Sequence, residues 1–428
     1  MRLNMMHPAD QLVVTMNRIY RGGMTTTSGG NLSILDSSGD IWITPSGVDK
    51  GALSRSDIIK IQPDGSTDGC HQPSIEAGFH QETYKARPDI HAILHAHSPA
   101  LVAFSMMHRL PDTSLIPNTN IVCGRISLVP YAMLDTGELG EVLAKEFSDG
   151  SKVVIMENHG VTVAAESMTQ AYKIFETIEF AARTELLAMR LGKANQLTID
   201  QIDIARTSAH TRLSEFSIRQ HSSAELDLRR EITRLLHRGL DQNMFYSSQG
   251  TISARVDDGT FLITPYGFDR REIFEEDLVL VKKGLKEKGK IPSRAVFLHE
   301  LIYHRNPAVQ AIVAAQPPHL MSFSITDTKF DTRLLPEPYL LLRDLPRAPY
   351  ALNYSQPQKT ASMFKDGVSS IMLENDGVIT TGNNLTQAFD RLEVAEFTAR
   401  AVLATAGLAE IHPLTDEKIA AIENIGNE

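Results

Sequence analysis

The sequence predicts an α/β protein made of two tandem three-layer α/β/α domains, each with a mostly antiparallel central sheet. Three observations predict it. The chain has 428 residues, enough for two domains of about 200 residues each. Hairpin-forming strand pairs alternate with helix-length amphipathic segments. Above all, the chain is written twice: Gly30 to Gly47, ending in Ile43-Thr44-Pro45-Ser46-Gly47, returns as Gly250 to Gly267, ending in Ile263-Thr264-Pro265-Tyr266-Gly267, at an offset of 220. Pro73, Ser74, His80, Tyr84 and Pro88 return as Pro292, Ser293, His299, Tyr303 and Pro307 at 219, and Glu157-Asn158 with Gly160-Val161 returns as Glu374-Asn375 with Gly377-Val378 at 217. A period this long marks a duplicated domain and not a solenoid. We place the copies at residues 1–215 and 216–428, with the polar stretch from Gly192 to His221 holding the connection.

In the first copy, His7 to Arg21 has helical periodicity and stops at Gly22-Gly23. Asn31 to Leu35 reads as a strand, Asp36-Ser37-Ser38-Gly39 as a hairpin turn and Ile41 to Thr44 as the return strand. Ser54 to Ile59 reads as a short helix or turn, and Ile59 to Ile61 as a third strand. A helix is expected over Ser74 to Ala86 with Glu76 in its first turn, then a buried strand Ala92-Ile93-Leu94 running into His95 and His97. After a helix from Pro99 to Met107 the chain reads as irregular to Asn120, then as a strand near Ile126 to Val129 and a helix from Thr136 to Glu146 capped by Asp135 or Thr136. Val153 to Met156 is a buried strand that runs into Glu157-Asn158-His159-Gly160, followed by a short strand, Val161 to Ala165, and a long helix, Thr169 to Leu191.

The composition is that of an ordinary globular protein, with 42% apolar and 22% charged residues. A net charge of -10 argues against a nucleic-acid binder, which carries a basic face. Two cysteines, Cys70 and Cys123, are too few for a secreted disulfide scaffold, and neither has a partner at metal-ligand spacing. With no apolar run long enough for a membrane span and no signal-like start, the expectation is a cytoplasmic protein without a membrane segment.

Candidate chemistry gathers around His95 and His97. At i, i+2 in an extended chain both imidazoles share one face. The pair alone is also consistent with two half-exposed strand-end histidines. His159, in a turn after another apolar strand, and Glu76 complete three imidazoles and a carboxylate, a good ligand set for a divalent metal, zinc above all. The repeat sharpens this reading. Glu76, His95, His97 and His159 fall on Ala295, Ala314, Gln316 and Asp376 in the second copy, while the surrounding frame persists. Frame residues survive in both copies; ligands survive only where chemistry occurs. One metal per chain is therefore expected, in the first copy. Glu76 can act as ligand at rest and as base in turnover; as a plain first-turn carboxylate it would only favour the helix dipole, and Ala295 in the second helix argues against that. Asn31, Ser46, Gly47 and Ser74 offer small donors for an oxyanion or phosphate, although such residues are also ordinary turn formers. Asn158 persists as Asn375 and reads as structural. Tyr131 and Asp135, in a loop-like region, read first as ordinary surface or packing residues and second as candidate proton donors.

The Gly30-Asn31 loop, Thr44-Pro45-Ser46-Gly47, Ser74-x-Glu76, His95-x-His97 and Asn158-His159-Gly160 together resemble the class II aldolase/adducin family, and most of all its L-fuculose-1-phosphate aldolase-like enzymes. The resemblance covers the first copy nearly throughout and the second as a degenerate unit. It implies zinc on His95, His97 and His159, Glu76 as ligand and proton-transfer group, and a sugar-phosphate pocket at Asn31, Ser46, Gly47 and Ser74. It implies cleavage of a small sugar phosphate or sugar acid through a metal-stabilised enediolate; a sugar-phosphate epimerase, a decarboxylase and a non-catalytic adducin-like assembly module are the alternatives. Three departures stand out. Ile75 replaces the second Ser of the usual Ser-Ser-Glu, Leu115-Ile116-Pro117-Asn118 stands where a proton-donating Tyr is expected, and Glu rather than Asp at 76 is aldolase-like rather than epimerase-like. The family's ring assemblies imply a homo-oligomer, a dimer in which the second copy takes a neighbour's place in a pseudo-fourfold ring.

Overall fold

The computed structural model describes residues 2–133, 137–208, 213–365 and 367–425. The chain divides into two compact units, 1–113 with 118–183, and 114–117 with 184–428. Its elements are, in order, α1 (Pro8–Arg21), β1 (Asn31–Leu35), β2 (Ile41–Ile43), β3 (Ile59–Ile61), β4 (Thr67–Asp68), α2 (Ala77–Ala86), β5 (Ala92–Ala96), α3 (Pro99–Met106), α4 (Pro117–Cys123), β6 (Ile126–Val129), α5 (Gly137–Ser148), β7 (Val153–Met156), β8 (Val161–Ala165) and α6 (Met168–Ala188). They continue with α7 (Ile199–Thr207), β9 (Ser214–Phe216), α8 (Ser223–Asp241), β10 (Thr251–Asp257), β11 (Thr260–Ile263), β12 (Val279–Lys282), β13 (Leu285–Glu287), α9 (Val296–Arg305), β14 (Ala311–Ala315), α10 (Pro318–Ser324), α11 (Pro336–Leu342), β15 (Arg347–Ala348), α12 (Leu352–Ser355), α13 (Pro357–Ser362), β16 (Ser370–Leu373), β17 (Gly377–Gly382), α14 (Leu385–Thr405) and α15 (Asp416–Ile425). The cut between the units falls inside α6.

The repeat is a repeat of topology. The first sheet runs β4-β3-β2-β1-β5-β8-β7-β6, and the second runs β13-β12-β11-β10-β14-β17-β16-β15 with β9 added outside β13. Among the described residues only β6 with β7 in the first sheet, and β15 with β16 and β13 with β9 in the second, pair in parallel. Register is kept too: Asn31 sits opposite His95 and Ala96 opposite Val161, as Thr251 sits opposite Ala314 and Ala315 opposite Val378. In the second unit Phe261, Ile263, Val279, Val281 and Ile312 pack on α9 and α13, while Ile252, Leu262, Leu280 and Val313 face α8, α10 and α14, which makes three layers. The first unit repeats one face with Ile41, Ile43, Ile59 and Ile93 against Phe79 of α2 and Leu139, Leu143 and Phe147 of α5. On the other, α1 buries Leu12, Met16 and Ile19. Alternating strand residues thus enter opposite cores.

Several expectations change in detail. Helix α2 begins at Ala77, so Glu76 lies just before it, and its side chain makes no capping bond. The stretch to Asn120, expected irregular, carries α4, and the expected linker between Gly192 and His221 carries α7 and β9. Helix α5 starts at Gly137; the proposed caps Asp135 and Thr136 lie outside the described residues.

Candidate metal centre

The strand–turn geometry of the first unit brings His95, His97 and His159 together, with one donor atom from each within 4.8 Å of the others. His95 is the last residue but one of β5 and is fully buried. Two glycines make the approach possible. Gly30 has φ +72, and a Cβ there would lie 2.6 Å from His95 O; a Cβ on Gly160 would lie 2.7 Å from both Ala96 O and His97 Cδ2. His159 follows Asn158, whose φ of +54 is matched by +55 at Asn375, so the Asn shared by the copies serves a left-handed turn. Helix α3 leads directly out of the His97 loop. The buried carboxylate of Glu179 accepts from Leu101 N at 3.2 Å at its start, as Glu396 does from His319 N and Leu320 N for α10.

Glu76 closes the site. Its Oε2 accepts from Asn31 Nδ2 at 2.6 Å and lies 3.5 Å from His95 Nε2, and its Oε1 lies 3.4 Å from His159 Nε2. Asn31 is held in turn: His80 Nε2 donates to its Oδ1 at 2.6 Å, and the Ser33 hydroxyl lies 2.6 Å from His80 Nδ1 and 2.7 Å from the Tyr84 hydroxyl. The second copy keeps Ser253 Oγ at 2.7 Å from both His299 Nδ1 and the Tyr303 hydroxyl. There the relay stops, because Thr251 replaces Asn31 and His299 Nε2 has no hydrogen-bond partner among the described residues. His80 is the residue that sequence reasoning passed over. It counted as frame because it repeats, yet its free nitrogen is what orients Asn31 toward Glu76.

The donors fit a divalent ion. His95 Nδ1 donates to Val161 O at 3.0 Å, which leaves the Nε2 lone pair pointing at the cluster. That nitrogen faces His97 Nε2 at 2.9 Å. Glu76 Oε1 is buried without a hydrogen bond. Burial lowers the pKa of His95 well below its ordinary value and lowers those of His97 and His159, so all three rings are neutral at pH 7, the form that can hold a metal ion. Burial raises Glu76, against the pull of His159 and the Asn31 hydrogen bond.

The remaining candidates lie on two neighbouring turns. Pro45 bridges Pro73, and Ser46 N donates to Gln72 O at 3.0 Å, which sets the half-buried Ser46 and exposed Gly47 beside the chain that carries Ser74. Ser74 is 8% exposed, and its Oγ accepts from Glu76 N at 3.3 Å. Ile75 is 60% exposed. Asn31, 2% exposed, has both side-chain polar atoms engaged within the relay. Leu115 and Ile116 are buried and group with the second unit, where Leu115 O accepts from Asn375 Nδ2. Tyr131 is half exposed, with its hydroxyl 3.9 Å from Met133 Sδ, and Asp135 lies outside the described residues.

The fold is a twice-written α/β unit whose first copy gathers three imidazoles and a carboxylate from the end of β5, the turn after β7 and the start of α2. The sequence pattern described as Class II Aldolase and Adducin N-terminal domain matches the chain twice, over residues 10–186 and 230–403, and the chain belongs to that family. Curated relatives are each matched over less than half of this chain and most of their own length. A 5-deoxy-D-ribulose 1-phosphate aldolase of Bacillus thuringiensis is 28% identical over 200 residues, 45% of this chain and 91% of its own. A 3-oxo-tetronate 4-phosphate decarboxylase of Pectobacterium atrosepticum is 32% identical over 43% of this chain and 85% of its own, and an L-fuculose phosphate aldolase of Methanocaldococcus jannaschii 31% identical over 43% and 98%. Among the described residues no helix is long and apolar enough to cross a membrane.

Proposed function

We propose that this protein is a zinc-dependent carbon–carbon lyase, an aldolase in its main reaction, that acts on a small sugar phosphate or sugar acid. The observation that carries the reading is Glu76, a carboxylate with one oxygen held by Asn31 and the other directed, without a hydrogen bond, at the three-histidine cluster. His95, His97 and His159 hold the ion, with Glu76 as a displaceable fourth ligand. When bound, the ion supplies Lewis-acid stabilisation of the negative charge that develops as the carbon–carbon bond breaks. Ser46, Gly47 and Ser74 anchor the anionic end of the substrate on the two joined turns, and Asn31 shapes the pocket floor through its hold on Glu76. The raised pKa of Glu76 brings its proton exchange closer to neutrality, where a general base works best. Decarboxylation, the reaction named for one relative, breaks a carbon–carbon bond with the same build-up of charge.

The first copy, 1–215, is the metal-binding domain in this reading. The second, 216–428, lacks the ligands: Gln316 Nε2 donates to Asp376 O at 3.0 Å, and Asn353 Nδ2 to Asp376 Oδ2 at 2.8 Å. A cytoplasmic homodimer in a pseudo-fourfold ring, one such metal per chain, belongs to the same reading. Elemental analysis of the intact chain and of His97→Ala should show one equivalent of zinc lost in the variant. Incubation with phosphorylated ketoses and sugar acids should release an aldehyde. In Glu76→Gln, compared at equal metal content, turnover should fall by about 10²-fold or more. Carbon dioxide in place of aldehyde makes the chain a decarboxylase, an inverted sugar makes it an epimerase, and an unchanged metal content in His97→Ala removes the reading.

A further inference from the structure

A second cluster of metal-binding type lies in the first unit, away from the three histidines: Asp57, Cys70 and His71, with donor atoms within 4.8 Å of one another. A tetrahedral zinc ion with bonds of about 2.0 to 2.3 Å spaces its donors roughly 3.3 to 3.8 Å apart, so this set stands at most about 1.5 Å wider than ligand spacing. Asp57 ends the 3-10 turn Arg55–Asp57, and its two oxygens have separate tasks. Oδ2 accepts from Ser54 N at 2.8 Å and Ser54 Oγ at 2.6 Å, and Oδ1 faces His71 Nε2 at 2.9 Å. The Ser54 donors, with His71, hold this carboxyl below its ordinary pKa. Gly69 brings the other two donors over the turn. It has φ +146, and a Cβ there would lie 2.6 Å from Ile59 Cδ1.

The internal repeat separates frame from site here as well. The turn survives in the second copy, where Asp277 Oδ2 accepts from Phe274 N at 3.0 Å. At an offset of 219, Cys70 and His71 become Gly289 and Lys290, and Lys290 Nζ bonds Leu278 O at 3.0 Å. The carboxylate that shapes the turn is therefore kept in both copies, whereas the thiol and imidazole occur only beside the copy that bears the histidine centre.

We propose that Asp57, Cys70 and His71 form a second divalent-metal site, suited by its sulfur, nitrogen and oxygen donors to zinc. Cys70 is exposed and His71 partly so, which makes the ion exchangeable. The site sits on a sensitive segment: the next residue, Gln72, accepts from Ser46 N, and Ser74 follows two residues later. An ion here ties the 3-10 turn to the chain that carries Ser46 and Ser74. The site stands independently of the reaction assigned to the histidine centre.

Cobalt substitution of the full-length protein tests it, because a thiolate–cobalt charge-transfer band in the near ultraviolet requires a sulfur ligand that the histidine centre lacks. The band is expected in the intact protein and in His97→Ala, and is expected to disappear in Cys70→Ser, with one equivalent of cobalt lost and the thermal midpoint in the absence of metal unchanged. His71→Ala should weaken the band's cobalt titration by at least about tenfold. No thiolate band in the intact protein at saturating cobalt would overturn the proposal, leaving an Asp57–His71 hydrogen bond beside a bystander thiol. A band that persists in Cys70→Ser would overturn it too, by assigning the sulfur to the buried Cys123.

Discussion

His80 and His299 occupy the same place in the two copies, fully buried and sharing a hydroxyl with a tyrosine, and burial pushes each down to a pKa of about 3. In the unfolded chain a histidine titrates near 6.5. With the folded pKa depressed, folded and unfolded states bind no proton above that value, and stability there is pH-independent for these groups. As pH falls below about 6.5 the unfolded chain takes up the proton first, so each histidine removes about 1.4 kcal/mol of stability per pH unit until its folded pKa is reached. Glu76, Glu179 and Asp376, whose pKa values are raised, act in the opposite sense. They cancel in a comparison of the intact protein with His299→Gln, a site remote in sequence from the metal ligands. Denaturant unfolding at pH 7.5, 6 and 5 should show the variant's deficit shrinking by about 1.4 kcal/mol per pH unit below about 6.5. A deficit that does not change with pH would show that His299 binds its proton inside the fold. The pair also shows how one residue type serves two ends: His80 passes its second nitrogen to Asn31 and so to Glu76, and His299 passes it to nothing among the described residues.

Turns, more than strands, set the site, and the same chemical change should act differently in a helix and in one of these turns. Gly78 lies in α2 with open space around its Cβ position, so Gly78→Ala should stabilise by about 0.5 to 1 kcal/mol through helix propensity. Gly160→Ala places a methyl group 2.7 Å from Ala96 O and His97 Cδ2, and its main effect should be a lower metal content at equal protein concentration. Equal metal content in the two variants would show that the loop after β7 yields without moving His97. The sequence made the strands that bear the histidines legible because Ala92-Ile93-Leu94 and Val153 to Met156 are short continuous apolar runs, and β1 and β2 legible through the turn at Asp36 to Gly39. It hid β4, two exposed residues with no apolar pattern, and β9, whose parallel pairing with β13 joins distant segments. Helix α7 had a readable signal, the capping box of Thr198 with Gln201. The helix expected from Ser74 begins later: Ala77 N donates to Ser74 O and α2 starts at Ala77, which leaves the Glu76 carboxylate free for the cluster.

At the scale of the whole molecule, the repeat of sequence pattern and topology makes the chain its own control. Strand order, register, the Ser–His–Tyr network and the carboxylate at the helix after the ligand-bearing strand all persist, while the ligands do not. On the proposed reading, the persistent set belongs to the frame and the variable set to metal binding. Each unit has its own sheet and its own buried cores, so each carries the apolar burial a domain of its size needs to fold. A ligand that binds only one folded unit stabilises that unit by RT ln(1 + [L]/Kd), about 2.7 kcal/mol at a hundredfold excess over Kd, and leaves the other where it was. Calorimetry of the intact protein with and without a chelator should therefore resolve two transitions, of which one drops on metal removal, by about 2 to 4 °C per kcal/mol lost for a unit of this size. His95→Ala should reproduce the part of the drop that belongs to the histidine centre, and Cys70→Ser the remainder. Alanine at the matching second-copy position, already present as Ala314, predicts that the other transition is blind to metal throughout. A single transition that moves as a whole would mean that the second unit, although without the ligands, unfolds only together with the first, and would tie its retention to stability rather than to chemistry.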